Sequence, residues 1–490
     1  TELAEAARAA AKGFLALGIA HGDRVAIWAP NLWEWVVAAI GAHSVGGVVV
    51  PVNTRYKGLE AAYLLRKSRA RALVTVNGFL GTDYVALLRD SGEETPDLAH
   101  TIVLRGETPR GAMSFDDFLA GGAAIEDSDA IARAAAVRPT DLADILFTSG
   151  TTGAPKGVMC THAQNLRVFR DWSDITGLRA GDRYLIVNPF FHSFGYKAGW
   201  LAALMMGATI LPEPVFDVDA VLRRITSAKA SVLPGAPALY QSILMHPDFA
   251  KHDLSSLRLA VTGADIIPVE LVQRMRQDLG FTTVITAYGL TETTGTVTMC
   301  RESDDIETIA RTSGRAIPGV EVRVAGPNGE TMPSGEAGEV LVRGYNVMQG
   351  YFEAPEETAK AIDTDGWLHT GDVGVLDDRG NLRITDRMKD MFIVGGFNAY
   401  PAEIEHTLRR HEAVAEVAVI GIPDARLGEV GMAFVVLKPG ASLGEDELIA
   451  WSRERLANFK VPRRVRFLEA LPRNPTGKVT KFMLRDQVAG

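Results

Sequence analysis

The sequence predicts an α/β fold with a large, multi-lobed first domain and a smaller α+β second one. Three observations carry that expectation. The chain has 490 residues, about three times the usual domain length. From Val25 onward, short β-branched or aliphatic runs alternate with longer amphipathic stretches, the texture of strand–helix–strand units with largely parallel sheets. The texture then changes near Val320 and again near Lys389.

The first stretch sets Leu3, Ala7, Ala10, Phe14 and Leu17 against Glu2, Glu5, Arg8 and Lys12, an amphipathic helix. Its acidic residues and missing apolar core read as a clipped start, not a targeting peptide. The longest apolar stretch, Trp35 to Val52, is interrupted by His43, Ser44 and three glycines. It reads as a buried helix running into a strand, not as a membrane span. Strands are expected at Val25-Ala26-Ile27-Trp28, Val48-Val49-Val50, Ala72 to Val76, Tyr184 to Val187, Ala208 to Leu211, Ser231-Val232-Leu233 and Leu259 to Thr262. Val320 to Val324 and Glu339 to Arg343, separated by Gly326-Pro327-Asn328-Gly329, predict a small antiparallel unit. After Arg383 to Arg387 the remaining residues alternate on their own, with strands at Val414 to Ile420 and Ala433 to Leu437. The expected domains are therefore 1–388 and 389–490.

Composition removes several function classes. With 47% hydrophobic and 23% charged residues the chain is neither disordered nor fibrous. Its 51 basic and 60 acidic residues leave a net charge of −9, which offers no footprint for nucleic acid or an anionic membrane. Cys160 and Cys300 are the only cysteines, too few for a disulfide framework or a zinc site, so a reducing, cytoplasmic setting is expected.

The strongest local signal is Thr148-Ser149-Gly150-Thr151-Thr152-Gly153-Ala154-Pro155-Lys156-Gly157, directly after the apolar strand Asp144 to Phe147. Hydroxyls and glycines packed this closely let backbone amides and side-chain OH groups curl around a polyphosphate. A Walker A box needs glycine immediately before its lysine, and position 155 is proline. No G-x-G triplet occurs either, so the dinucleotide fingerprint is missing.

Other motifs follow in order: Phe190-Phe191-His192, Tyr288-Gly289-Leu290-Thr291-Glu292, Trp367 to Asp372, Asp386 to Asp390, and Pro475-Thr476-Gly477-Lys478. Together with the Thr148 run they resemble the adenylate-forming superfamily of acyl-CoA and aryl-CoA synthetases, peptide-synthetase adenylation domains and beetle luciferases. The resemblance implies a two-step reaction. A carboxylate attacks the α-phosphate of ATP to give acyl-AMP and pyrophosphate, and a thiol then displaces AMP. It also implies ATP, Mg²⁺ and coenzyme A as cosubstrates.

By the same resemblance, Lys478 supplies the cation of the first step, Glu292 ligates Mg²⁺, and Thr291 bonds the α-phosphate. Thr148, Ser149, Gly150, Thr151, Thr152, Gly153 and Lys156 form the phosphate loop. Gly263, Ala264 and Asp265 pass along the adenine, although Asp265 departs from the small or uncharged residues expected there. Tyr288 and Gly289 complete the adenine side, with Tyr288 stacking on the base. Asp372 and Arg387 hold the ribose, and a helix cap or turn charge is the competing role for the polar members. His192 gates the acyl pocket, which also takes Phe194, Gly195, Lys197, Tyr240 and Gly289. Lys197 either meets a ketone or hydroxyl of the substrate or snorkels to solvent. Lys389 is the hinge of a mobile second domain, and Gly395-Gly396-Phe397 lines the pantetheine tunnel.

The segments Asn188 to Gly199, Arg383 to Arg387 and Leu456 to Lys460 resemble the actinobacterial CoA ligases acting on the bicyclic propionate left after sterol side-chain and A/B-ring removal. A medium-chain fatty acid, a terpenoid acid, a carrier-protein acceptor and a homodimer stay open.

Overall fold

The computed structural model describes residues 2–149, 154–263, 267–326, 329–387, 391–472, 479 and 481–489. Three main sheets build the larger domain, beside a small hairpin of Asn77–Phe79 and Thr82–Asp83. The first runs in the order Gly350–Tyr351, Pro155–Thr161, Leu142–Ser149, Val48–Pro51, Arg24–Trp28, Ala70–Thr75, His100–Val103, Met113–Ser114. All its ladders are parallel except the two made by Pro155–Thr161. Its central strands are apolar on both faces, as covered parallel strands must be. The helix Trp33–Ser44 lies against it, and Trp35 meets the rings of Phe190, Tyr196 and Trp200 at 5.6, 5.6 and 5.8 Å.

The second sheet holds Thr209–Pro212, Arg183–Ile186, Leu259–Gly263, Thr283–Tyr288, Thr298–Met299 and Arg315–Ala316. The expected strand at Ser231-Val232-Leu233 survives only as a bridge at Val232, between Tyr184 and Leu259. Pro234, which has no N–H to donate, follows at once. The third sheet is the expected antiparallel unit, Val320–Ala325, Ala337–Gly344, Leu368–Leu376 and Leu382–Arg387 in sequential order.

The smaller domain packs helix Pro401–Leu408 against an antiparallel sheet of Phe397–Ala399, Phe392–Val394, Gly428–Leu437 and Val414–Asp424, to which Arg464–Phe467 adds in parallel. Both cysteines are buried and unpaired. Among the described residues no helix is long and apolar enough to cross a membrane.

Candidate active site

A cleft of roughly 2170 Å³ opens between the sheets of the larger domain and the face of the smaller one. Pockets for a single small ligand run to about 300–1,000 Å³, so this space holds more than one. Thr148, Gly263, Tyr288, Gly289, Thr291 and Glu292 share its wall, and all lie at or just beyond strand ends of the first two sheets. The C-terminal ends of parallel strands are where α/β folds bind ligands.

Glu292 sits in the 3₁₀ turn Thr291–Thr293. The hydroxyl of Thr293 accepts from the backbone N–H of Leu290 at 2.9 Å, so Glu292 is not spent as a cap. Its Oε1 accepts from Thr148 Oγ1 at 3.3 Å and from the Tyr351 hydroxyl at 3.0 Å. Burial, and then the carboxylate of Glu292, push the Tyr351 phenol far above its usual range, so it stays a donor. Tyr288 donates its hydroxyl to Asp372 Oδ2 at 2.6 Å, and Asp372 is itself buried.

The segment from Ile186 to Phe190, which leads to His192, is tied to Asn31, just beyond the strand Arg24–Trp28. Asn31 donates Nδ2 to the carbonyls of Ile186 and Asn188 at 3.1 and 2.9 Å and accepts from Phe190 N–H at 2.8 Å. His192 follows, its ring open to the cleft and its Nδ1 accepting from Phe194 N–H at 3.3 Å. Desolvation by the surrounding protein lowers its pKa and favours the neutral ring, and Nδ1 accepting from Phe194 N–H leaves Nε2 to carry the proton. Phe194 lines the cleft beside it, with Phe147, Phe169, Trp172 and Val187 adding apolar wall.

Four expected contacts are corrected. Lys197 neither borders the pocket nor snorkels: it is fully buried, with Nζ 2.9 Å from Asp144 Oδ1 on the strand Leu142–Ser149. It lies in the segment Tyr196–Leu201, which is wound as a π-helix and buried from Tyr196 to Trp200. Tyr240 is buried too, donating its hydroxyl to the Leu233 carbonyl at 2.8 Å and packing on Phe281. Gly195 packs against the turn before it, where a Cβ would sit 2.2 Å from the carbonyl oxygens of Asn188 and Pro189. Lys156 is engaged by Glu357, whose carboxyl it helps bring down to about 2, and it does not reach the cleft wall.

Gly395, Gly396 and Phe397 wall the cleft from the smaller domain, the glycines at φ of +55° and +84°, where a side chain is strained. Sequence reasoning missed Arg55, whose guanidinium lies 4.2 Å from the Phe397 ring centroid at the same wall. Burial lowers its pKa, and among the described residues no carboxylate pairs with it. Gly150, Thr151, Thr152, Gly153, Ala264, Asp265, Lys389 and Lys478 lie outside the described residues, as do the side chains of Ser149 and Arg387.

Family models for an AMP-binding enzyme and for the AMP-binding enzyme C-terminal domain match residues 1–352 and 403–478. The chain is 53% identical over 490 residues to the 3-[(3aS,4S,7aS)-7a-methyl-1,5-dioxo-octahydro-1H-inden-4-yl]propanoyl:CoA ligase of Rhodococcus jostii (strain RHA1), covering 99% of this chain and 93% of that one. The ligase of the same name from Mycobacterium tuberculosis is 52% identical over 486 residues, with the same coverage. Among solved structures, amide bond synthetase McbA from Marinactinospora thermotolerans superposes with a TM-score of 0.85 at 31% identity, covering 99% of this chain and 94% of that one. Strand order, cleft and sequence agree, and this chain belongs to the AMP-binding enzyme family.

Proposed function

We propose that the chain is an AMP-forming acid–CoA ligase acting on a keto-bicyclic propionate from steroid degradation. The observation that carries the reading is a single cleft walled at once by Thr148, Thr291 and Glu292 and by Gly395, Gly396 and Phe397. Phosphate-facing and thiol-facing groups then serve one reacting carbon. The choice of acid is supported by the names of the two relatives that this chain matches over 99% of its length.

In the first step a carboxylate and a triphosphate, both anionic, must meet. At ~4 Å and an effective dielectric of ~20 one unit of positive charge is worth about 4 kcal/mol before desolvation. Lys478 is assigned that charge. Thr148 and Thr291 offer hydroxyls to phosphate oxygens, while Tyr288 and Asp372 receive the nucleoside. Neutral His192, presenting Nε2–H, donates to the substrate carboxylate and transfers no proton.

Magnesium fits this wall. The donor set is one carboxylate, Glu292, and among the described residues no cluster of three His, Cys, Asp or Glu side chains could hold an ion unaided. Glu292 would hold it together with phosphate oxygens, and the bound ion would supply charge neutralisation there.

For the second step the smaller domain, divided from the larger at residues 388/389 with Lys389 as hinge, turns Gly395 to Phe397 toward the cleft. The pantetheine arm passes these glycines, and Arg55 meets a phosphate of CoA. A panel of alkanoic, aryl, terpenoid and keto-bicyclic acids, assayed for CoA-dependent AMP formation, tests the reading. Preference for the keto-bicyclic propionate supports it, and equal turnover of a medium-chain alkanoic acid overturns the choice of substrate.

A further inference from the structure

One buried charge cluster lies where the two domains meet. Lys460 precedes the strand Arg464–Phe467 and is 1% exposed. Its Nζ lies 2.5 Å from Glu403 Oε1 and 3.0 Å from Glu60 Oε1, and 4.3 Å from the ring centroid of Tyr56. Glu403 belongs to helix Pro401–Leu408 of the smaller domain, just after the glycine pair, whereas Glu60 sits in the first turn of helix Gly58–Ser68 of the larger one.

A lysine gains little from one exposed ion pair and loses much on burial. Here the loss is offset by two carboxylates and an aromatic face, and one carboxylate and the ring come from the other domain. Glu403 is buried and meets the cation through Oε1, while its Oε2 has no hydrogen-bond partner among the described residues. Glu60 is held in place independently, because its Oε2 accepts from Lys57 N–H at 2.9 Å and closes the helix start. The joined elements are also the ones that carry the tunnel wall: Phe397 stacks on Phe459, next to Lys460, with centroids 4.9 Å apart, and Arg55 covers Phe397.

We propose that the Lys460 ammonium, shared between Glu403 and Glu60, is a latch that holds the smaller domain in the orientation where Gly395-Gly396-Phe397 walls the cleft, which makes Glu60 a positioning residue for thioester formation alone. The inference rests on the two-step reading above. When the smaller domain turns for adenylation, Lys460 leaves Glu60 and the latch opens.

The test splits the half-reactions. Glu60→Gln keeps an acceptor for Lys57 N–H and removes only the charge. It should slow CoA-dependent discharge of isolated acyl-AMP by about tenfold or more, with acid-dependent pyrophosphate exchange within about twofold of wild type. Lys460→Arg, which keeps the cation, should restore more of the discharge rate than Lys460→Met. Dyes on cysteines introduced at the exposed Asp97 and Asp446 should report a distance population displaced from the wild-type one in Glu60→Gln; both native cysteines are buried. Parallel loss of both half-reactions, or an unchanged discharge rate and distance, overturns the latch. Absence of exchange in the wild-type protein would instead overturn the two-step reading itself.

Discussion

Replacing Lys197 by methionine removes one half of an ion pair that is fully buried on both sides. At 2.9 Å the pair is worth about 6 kcal/mol at an effective dielectric of ~20, much of it cancelled by desolvation. What Lys197→Met leaves behind is the buried Asp144 carboxyl without its cation, and breaking a buried pair from one side costs about 3–5 kcal/mol. Against a total stability of about 5–15 kcal/mol that is a large fraction. The expected drop in Tm is about 4–6 °C for a domain of this size, read by calorimetry or thermal fluorescence. Adding Asp144→Asn removes the stranded carboxyl while keeping a side-chain oxygen for Asn165, whose Nδ2 donates to Asp144 Oδ2 at 2.5 Å. The double variant should therefore regain most of the loss. A Lys197→Met protein with wild-type Tm and an altered choice between keto-acids and alkanoic acids would refute the reasoning, because it would put the ammonium in the acyl pocket.

Three further outcomes are expected. His43, lowered to about 3 by burial and then by His162, binds its proton in the unfolded chain near pH 6.5 but not in the folded one. Its stabilisation is complete above pH 6.5 and is lost as pH falls toward 3, at up to ~1.4 kcal/mol per pH unit, and His43→Gln should flatten that part of the denaturation profile. Glu292→Gln keeps an acceptor for Thr148 and Tyr351 but not the charge; adenylation should fall by about 10²–10³ and its magnesium requirement should rise, seen in pyrophosphate exchange against metal concentration. Lys478→Ala should cut adenylation by about two to four orders of magnitude while synthetic acyl-AMP is still converted to thioester, and equal damage to both steps would contradict the assigned role.

The sheets were legible because their strands are β-branched runs bounded by glycine or proline, and a buried parallel strand has no other composition open to it. The candidate site was legible where its residues are consecutive, as in Tyr288 to Glu292. What sequence could not give was side-chain direction. Lys197 has its partner 53 positions earlier in Asp144, and periodicity says nothing about a pair separated in that way. Family resemblance places Tyr240 and Gly195 at the acyl wall, whereas Tyr240 is buried on Leu233 and Gly195 is packed on the turn before it. Lys460 and Glu60, 400 positions apart, have no local pattern at all, and only the docked domains bring them together. The strand expected at Ser231 to Leu233 is reduced to a bridge for a local reason, since Pro234 cuts the run short.

The strand Leu142–Ser149 and its antiparallel neighbour Pro155–Thr161 are laddered up to the pair Ser149 and Pro155. The two ends of the short stretch between these strands are thus pinned one ladder rung apart. Exchanging that stretch for another of equal length therefore leaves every rung below it in register, so its composition can be varied without reshaping the two strands that carry it.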